Sequence, residues 1–129
     1  MRIVFFGSSE FALPALKAVY NRNYKILCVV TQPDKRQKRG LSLGSTPVKK
    51  MALELGLDIF QPVDVNTSEA KDFLRGLSSD LFVVVSFGQI LSEQIINLPK
   101  IFSINLHPSL LPKYRGPAPI NWALFNAEE

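Results

Sequence analysis

Short apolar runs and segments of helical spacing alternate along the whole chain. The apolar runs are rich in valine, isoleucine and phenylalanine and predict five strands, at residues 2–6, 24–31, 57–60, 81–86 and 101–106. Between and after them, apolar residues at helical spacing predict helices at about residues 9–22, 46–55, 66–77, 92–97 and 119–126. The strands lack polar alternation, which indicates that both faces of the sheet are covered. We therefore expect one α/β domain with an open, mostly parallel sheet and helices on both faces.

Turn and capping residues place the boundaries of several of these elements. Ser8 or Ser9 can cap the first helix, and Thr46, followed by a proline, suits the start of the second. Gly56 is typical of the position just after a helix. Two long loops remain, at residues 32–45 and 107–118.

The positive charge of the chain is concentrated in the first of these loops and just after it. The formal net charge is +4, whereas residues 33–50 contain six basic residues and one acidic residue, a net charge of +5. The basic residues are Lys35, Arg36, Lys38, Arg39, Lys49 and Lys50. Such a patch on a near-neutral body indicates an anionic partner that meets one surface. A solvated loop without a partner is the alternative.

Composition argues against several classes of protein. No apolar run approaches the roughly 20 residues of a membrane span, and the start of the chain lacks the features of a signal peptide. Cys28 is the only cysteine and lies in an apolar run, so we expect it in the core of a cytoplasmic protein. With one histidine and one cysteine far apart, we expect no metal site. The first strand–helix turn has a single glycine, which argues against a dinucleotide in the usual binding mode.

The only histidine, His107, stands just past the fifth predicted strand and two positions after Asn105. Side chains at i and i+2 of a strand point to the same face, and ligands of open parallel sheets bind at the carboxyl ends of the strands. Asn105 can donate a hydrogen bond to a developing oxyanion, and a protonated histidine can do so and later release its proton. The pair suits acyl transfer without a covalent enzyme intermediate. A purely structural histidine is the alternative.

The turn after the fourth predicted strand borders the same crevice if the fourth and fifth strands are neighbours. It contains Phe87, Gly88, Gln89, Ile90 and Leu91. Gly88 would let backbone groups approach a flat ring, and Ile90 and Leu91 would pack on that ring. A turn that only faces the core is the alternative.

The segment from Asn105 to Gly116, Asn-Leu-His-Pro-Ser-Leu-Leu-Pro-Lys-Tyr-Arg-Gly, resembles the signature of the formyltransferases that use 10-formyltetrahydrofolate. Residues 1–12, 31–34, 39–40, 47–49 and 116–120 resemble the methionyl-tRNA branch of that family. The resemblance extends over the whole chain. It implies a Rossmann-like catalytic domain.

The resemblance also implies an activity and a set of site residues. In translation initiation, a formyl group would pass from N10 of 10-formyltetrahydrofolate to the α-amino group of methionine on initiator tRNA. Asn105 and His107 match two of three catalytic positions, and the third, an aspartate, falls beyond residue 129. The turn at residues 87–91 matches the border of the pteridine pocket. The segment associated with tetrahydrofolate binding is matched by Ser109, Leu110, Leu111 and Pro112.

The basic loop gains a partner from the same resemblance, because the corresponding loop of the family reaches the tRNA acceptor arm. Arg39 matches its basic position, and the residues expected to contact phosphates are Lys35, Arg36 and Lys38. We expect residues 1–129 to be the incomplete catalytic domain of a longer, monomeric enzyme, inactive without its aspartate and its carboxy-terminal tRNA-binding domain. Two alternatives remain: a formyltransferase for a sugar nucleotide or glycinamide ribonucleotide, and a non-enzymatic folate- or RNA-binding module.

Overall fold

The computed structural model describes residues 1–36 and 43–107. Along this part of the chain the elements are β1 (Arg2–Gly7), a 3-10 turn (Glu10–Ala12), α1 (Leu13–Asn21), β2 (Lys25–Val30), β3 (Lys35–Arg36), β4 (Leu43–Gly44), α2 (Pro47–Glu54), β5 (Ile59–Phe60), α3 (Ser68–Gly76), β6 (Leu81–Val85), α4 (Glu93–Ile96) and β7 (Phe102–Leu106). The loop expected at residues 108–118 and the helix expected at 119–126 lie outside the described residues.

Five of the strands form one parallel sheet in the order β5-β2-β1-β6-β7. The chain starts at the central strand β1, moves outward to β5, and then returns to the other side of β1 with β6 and β7. The direction of winding therefore reverses between β1 and β6. In open α/β sheets such a reversal opens a crevice at the carboxyl ends of the strands, where ligands bind.

A second, much smaller ladder lies where the sequence predicts only a loop. β3 and β4 pair antiparallel, with Lys35 opposite Gly44 and Arg36 opposite Leu43. The two ends of the segment 37–42, which lies outside the described residues, are thus held next to each other.

Helices cover both faces of the sheet, which confirms the predicted layer order. On one face Phe5 packs with Leu16 of α1 and Val48 of α2. On the other, Phe6 packs with Leu74 of α3. All five side chains are fully buried, and burying a side chain of this kind stabilises a fold by about 1.5–3 kcal/mol. The core therefore fixes β1 from both sides.

The first helix begins later than predicted, and the two serines before it do not cap it. Ser9 precedes the 3-10 turn without a side-chain capping bond, and α1 starts only at Leu13. The serine hydroxyls bond instead with the loop after β6. Ser8 Oγ donates to the carbonyl oxygen of Phe87 at 2.6 Å, and Ser9 Oγ shares a hydrogen bond with Ser86 Oγ at 2.6 Å.

The three helices after α1 in the described residues are each capped by a side chain at the amino end. Thr46 Oγ1 caps α2 by accepting the N–H of Lys49 at 3.0 Å. Thr67 Oγ1 caps α3 by accepting the N–H of Ala70 at 3.1 Å. Ser92 does the same for α4 at 3.3 Å. Gly56 follows α2 with φ +71°, a conformation that favours glycine and ends the helix.

In the part of the chain that the structure describes, no helix combines the length and the apolar character that a membrane crossing needs.

Gly7 ends β1 in a crowded place and offers a test of how tightly the centre of the sheet is packed. A Cβ there would lie 2.9 Å from the carbonyl oxygen of Val85 and 2.9 Å from Ala12 Cβ. Because the first of these atoms is backbone of the neighbouring strand, it cannot rotate away. We predict that Gly7→Ala lowers the free energy of unfolding by about 1–3 kcal/mol, measured by urea denaturation. Gly76→Ala is the matched control: a Cβ at Gly76 meets nothing within 4 Å, so stability should stay equal or rise slightly. An equal loss in both variants would contradict the packing argument.

Candidate active site

The carboxyl ends of β1, β6 and β7 lie side by side, and the loops that follow them form one edge of the sheet. Gly7 is opposite Val85, and Val84 is opposite Asn105. The crevice predicted by the strand order therefore has the β1 loop on one side and the β6 and β7 loops on the other.

Asn105 lies near the end of β7 with an exposed side chain, on the face of the sheet that α4 covers. This face is identified by Ser103, two residues earlier, whose hydroxyl donates to the carbonyl oxygen of Ile96 at 2.7 Å. Residues of β7 with the opposite parity are apolar and exposed: Phe102, Ile104 and Leu106. Asn105 is thus the polar member of the strand end that faces the α3–α4 side.

His107 is half-buried and stands one residue past β7. β6 and β7 end opposite each other at Val85 and Leu106, so Ser86 and His107 are the first residues after two paired strands. Ser86 has φ +51°, a left-handed conformation that is uncommon for serine and is often found at functional sites. The topology thus brings Asn105 and His107 to the carboxyl edge beside the β6 loop, while their catalytic roles stay predictions.

The turn at residues 87–91 is held by side chains from three separate loops. Its carbonyl oxygens accept hydrogen bonds from Ser8 Oγ to Phe87 at 2.6 Å, from Gln32 Nε2 to Gly88 at 3.0 Å, and from Asn66 Nδ2 to Ile90 at 2.8 Å. The side chain of Ile90 is 89% exposed. The turn is therefore a fixed backbone with an apolar side chain at its surface.

The five residues predicted to border a ligand on this turn divide into two groups. Phe87 is buried, with its ring 5.4 Å from that of Phe6 in an edge-on contact. The amide of Gln89 is also committed internally, since Nε2 donates to Gln32 Oε1 at 2.8 Å and to the Pro62 carbonyl oxygen at 3.0 Å. Its Oε1 accepts the Val65 N–H at 2.8 Å. Gly88 and Ile90 are exposed, whereas Leu91 is half-buried and packs against the core cluster that contains Phe6 and Leu74.

Lys49, one of the six basic residues counted between residues 33 and 50, forms an ion pair with Asp34. Lys49 Nζ lies 2.8 Å from Asp34 Oδ2, with side chains only 16% and 25% exposed. Gln61 Nε2 donates to Asp34 Oδ1 at 2.9 Å and to the Gln32 carbonyl oxygen at 3.2 Å. The hydrogen bonds from Lys49 and Gln61 lower the pKa of Asp34. Lys49 is thus neutralised inside the fold and does not add to the positive surface.

Of the predicted tRNA contacts, Lys35 is exposed on β3 and Arg36 is the next residue of that strand. The other two predicted tRNA contacts, Lys38 and Arg39, lie outside the described residues. So do the four residues predicted to bind tetrahydrofolate: Ser109, Leu110, Leu111 and Pro112.

Cys28 takes no part in the site. It is 2% exposed in β2, as its apolar surroundings predict, and burial raises the pKa of its thiol to about 12. At neutral pH it is a protonated core residue. Among residues 1–36 and 43–107, no group of three or more His, Cys, Asp or Glu side chains is arranged to hold a metal ion.

Comparison with known proteins supplies the family. A family described as formyl transferase matches residues 1–129. This chain belongs to the formyl transferase family. The membership confirms the resemblance carried by the signature from Asn105 onward.

Relatives in the formyl transferase family carry a more specific name. A methionyl-tRNA formyltransferase of Clostridioides difficile is 50% identical over 129 residues, which are 100% of this chain and 42% of that protein. One from Caldanaerobacter subterraneus is 49% identical over 130 residues, again 100% of this chain and 42% of that protein. The chain thus spans less than half the length of these relatives.

Solved structures agree on the fold. A phosphoribosylglycinamide formyltransferase of Bacillus halodurans superposes with a TM-score of 0.68 at 15% identity, covering 98% of this chain and 66% of that one. Another, from Anaplasma phagocytophilum, gives a TM-score of 0.66 at 25% identity, covering 98% and 58%. The predicted Rossmann-like fold of this formyl transferase family member is confirmed.

Asp34 allows the internal ion pair to be tested through pH. Its pKa in the folded protein lies below the ordinary value of 3.8, so the ionised carboxylate stabilises the fold at neutral pH. That contribution is lost as the pH falls through the folded pKa. We expect Asp34→Asn to have a lower urea midpoint than the unsubstituted protein at pH 7, and the difference to narrow below about pH 4.

Asp72→Asn is the matched control for this experiment. Asp72 pairs with Arg75 at 2.8 Å, but the side chains are 73% and 62% exposed, so the loss should be small at every pH. A difference for Asp34→Asn that stays constant from pH 7 to pH 2 would show that ionisation of Asp34 is not what stabilises the cluster.

Proposed function

We propose that this chain is the catalytic domain of a methionyl-tRNA formyltransferase. The full-length protein would transfer the formyl group of 10-formyltetrahydrofolate to the α-amino group of methionine on initiator tRNA. The observation that supports the proposal is the parallel pairing of β6 with β7, with Val84 opposite Asn105 and Val85 opposite Leu106, so that His107 and the turn at residues 87–91 follow adjacent strand ends. Identity of 50% to a relative of that name supports the choice of acceptor.

The reaction follows from the groups at the strand end. The α-amino group of methionine, with an ordinary pKa of roughly 8, is partly neutral near pH 7 and attacks the formyl carbon. The attack forms a C–N bond and leaves a tetrahedral oxyanion. The amide of Asn105 and a protonated His107 donate hydrogen bonds to that oxyanion. The C–N10 bond then breaks, and His107 supplies a proton to N10 directly or through water. The attacking amine loses one proton, which replaces the proton that His107 gave up.

The turn at residues 87–91 suits the flat ring system of a folate. The backbone of Gly88 is exposed, and Ile90 offers an exposed apolar surface. An apolar wall with few fixed polar groups is the usual form of a small-molecule site. The segment at residues 109–112 would complete the site.

The basic loop would bind the tRNA. The β3–β4 ladder pairs Lys35 with Gly44 and Arg36 with Leu43, and Lys35 is exposed on it. Lys35, Arg36, Lys38 and Arg39 would contact phosphates, which orient a nucleic acid without reading its sequence.

Substitution of either catalytic candidate tests the proposed chemistry. We predict that Asn105→Ala and His107→Ala each reduce the kcat of formyl transfer by the full-length protein about 10²–10³-fold, because an oxyanion donor is lost. Ser103→Ala, two residues earlier on the same face of β7, is the control and should transfer at close to the unsubstituted rate. Unchanged transfer by His107→Ala would favour a folate- or RNA-binding module instead.

The basic loop is tested separately. We predict that Lys35→Ala combined with Arg39→Ala raises the KM for methionyl-tRNA while the KM for the formyl donor stays unchanged. The salt dependence of tRNA binding should fall by about 0.7–0.9 in log–log slope for each lost phosphate contact. Lys25→Ala, an equally exposed lysine at the amino end of β2, is the control. Preferential formylation of glycinamide ribonucleotide or a sugar nucleotide in competition would assign the acceptor to another branch.

A further inference from the structure

Two glutamine side chains lie behind the turn at residues 87–91 and bond to each other across 57 residues of sequence. Gln89 Nε2 donates to Gln32 Oε1 at 2.8 Å. Gln32 Nε2 in turn donates to the carbonyl oxygen of Gly88 at 3.0 Å. The Gln32 amide is therefore hydrogen-bonded to two consecutive residues of the turn, Gly88 and Gln89.

Gln32 is itself held on both sides of its backbone. Its N–H donates to Ser8 Oγ at 3.1 Å, and its carbonyl oxygen accepts from Gln61 Nε2 at 3.2 Å. Ser8 follows the central strand β1, whose position is fixed by the core on both faces. The amide of Gln32 therefore reaches the turn from a rigid support.

Gln89 connects the turn to a third loop. Its Nε2 donates to the carbonyl oxygen of Pro62 and its Oε1 accepts the N–H of Val65, two residues that are buried. The oxygen and nitrogen of the Gln89 amide are thus all in use. The Gln89 amide therefore bonds to other protein groups and not to a ligand on the exposed side.

The peptide that these bonds orient belongs to Gly88. Gly88 has φ +98°, and a Cβ added to it would lie 2.7 Å from Gln32 Nε2. The Gln32 amide thus packs directly against the back of this residue. The hydrogen bond from Gln32 Nε2 to the Gly88 carbonyl oxygen couples the position of the amide to that of the turn.

We infer that Gln32 and Gln89 are positioning residues: their paired amides set the orientation of the Gly88 turn and thereby the affinity for the formyl donor. The inference rests on the proposed function, in which that turn borders the folate. Neither side chain touches the reacting atoms. Their effect is to keep the binding surface in one arrangement before the donor arrives, which removes an ordering cost from binding.

The experiment compares Gln32→Ala, Gln89→Ala and the double variant in the full-length protein, with both substrates varied. Each single variant should raise the KM for 10-formyltetrahydrofolate about 10-fold, since a misplacement of about 1 Å in a positioning group costs up to roughly 10²-fold. The KM for methionyl-tRNA should not change. The double variant should raise the donor KM by less than the product of the two single effects, because both single variants lose the bond that joins the two amides.

Two further variants separate positioning from general damage to the fold. Gln94→Ala removes an exposed glutamine of α4 whose Oε1 accepts from Lys71 Nζ, and it should leave both KM values unchanged. Gln89→Glu keeps the size of the side chain and the acceptor for Val65 N–H but loses the donors to Gln32 and Pro62. It should fold normally, by circular dichroism, and still raise the donor KM.

Parallel increases in both KM values, or additive effects of the two alanines, would overturn the positioning role and leave a purely structural one. Normal donor affinity in all variants, measured by calorimetry with tetrahydrofolate, would also overturn it while the proposed function stands. If the unsubstituted full-length protein neither binds tetrahydrofolate nor consumes the formyl donor, the proposed function fails and the inference fails with it.

Discussion

The hydroxyl of Ser8 joins the strand ends on which the whole crevice is built. It donates to the carbonyl oxygen of Phe87 at 2.6 Å and accepts the N–H of Gln32 at 3.1 Å, while the Ser8 carbonyl oxygen accepts the N–H of Val48 at the start of α2. These contacts connect the loops after β1, β2 and β6. Because β1 is buried on both faces in the middle of the sheet, each loop is placed relative to a strand that cannot move independently.

The molecule divides its interactions between an apolar sheet and a polar edge. The sheet is held by burial of aliphatic and aromatic side chains, and the edge by neutral amides, hydroxyls and one shielded ion pair between Lys49 and Asp34. Neutral donors and acceptors can be buried without the large desolvation cost of unpaired charges, provided that each finds a partner. The described residues meet this condition, since none of their buried side-chain nitrogen or oxygen atoms is without a hydrogen bond. Outside this ion pair, Lys35 of the basic loop is exposed.

Local signals in the sequence predicted the sheet and most helix starts, because burial on two faces and side-chain caps leave marks within a few residues. Thr46 caps the helix assigned to it. Ser8 and Ser9 carry the same local signal, but their hydroxyls hydrogen-bond to the loop after β6 instead of capping a helix. No local sequence pattern predicts the Gln32–Gln89 or the Asp34–Lys49 pair, because the members of each pair are distant in the chain and meet only through the strand order. The spacing of Asn105 and His107 at a predicted strand end made them catalytic candidates, the resemblance matched them to catalytic positions, and the structure adds the pairing of their strand with β6.

The burial of Cys28 in β2 has a practical consequence. Thiol reagents attack the thiolate, and a thiol with a pKa of about 12 in a closed core supplies almost none. Modification of Cys28 therefore requires β2 to leave the packing of the α3–α4 face. The rate of labelling at this position, followed by mass spectrometry, measures how often the centre of the sheet opens, on a timescale that activity measurements do not reach.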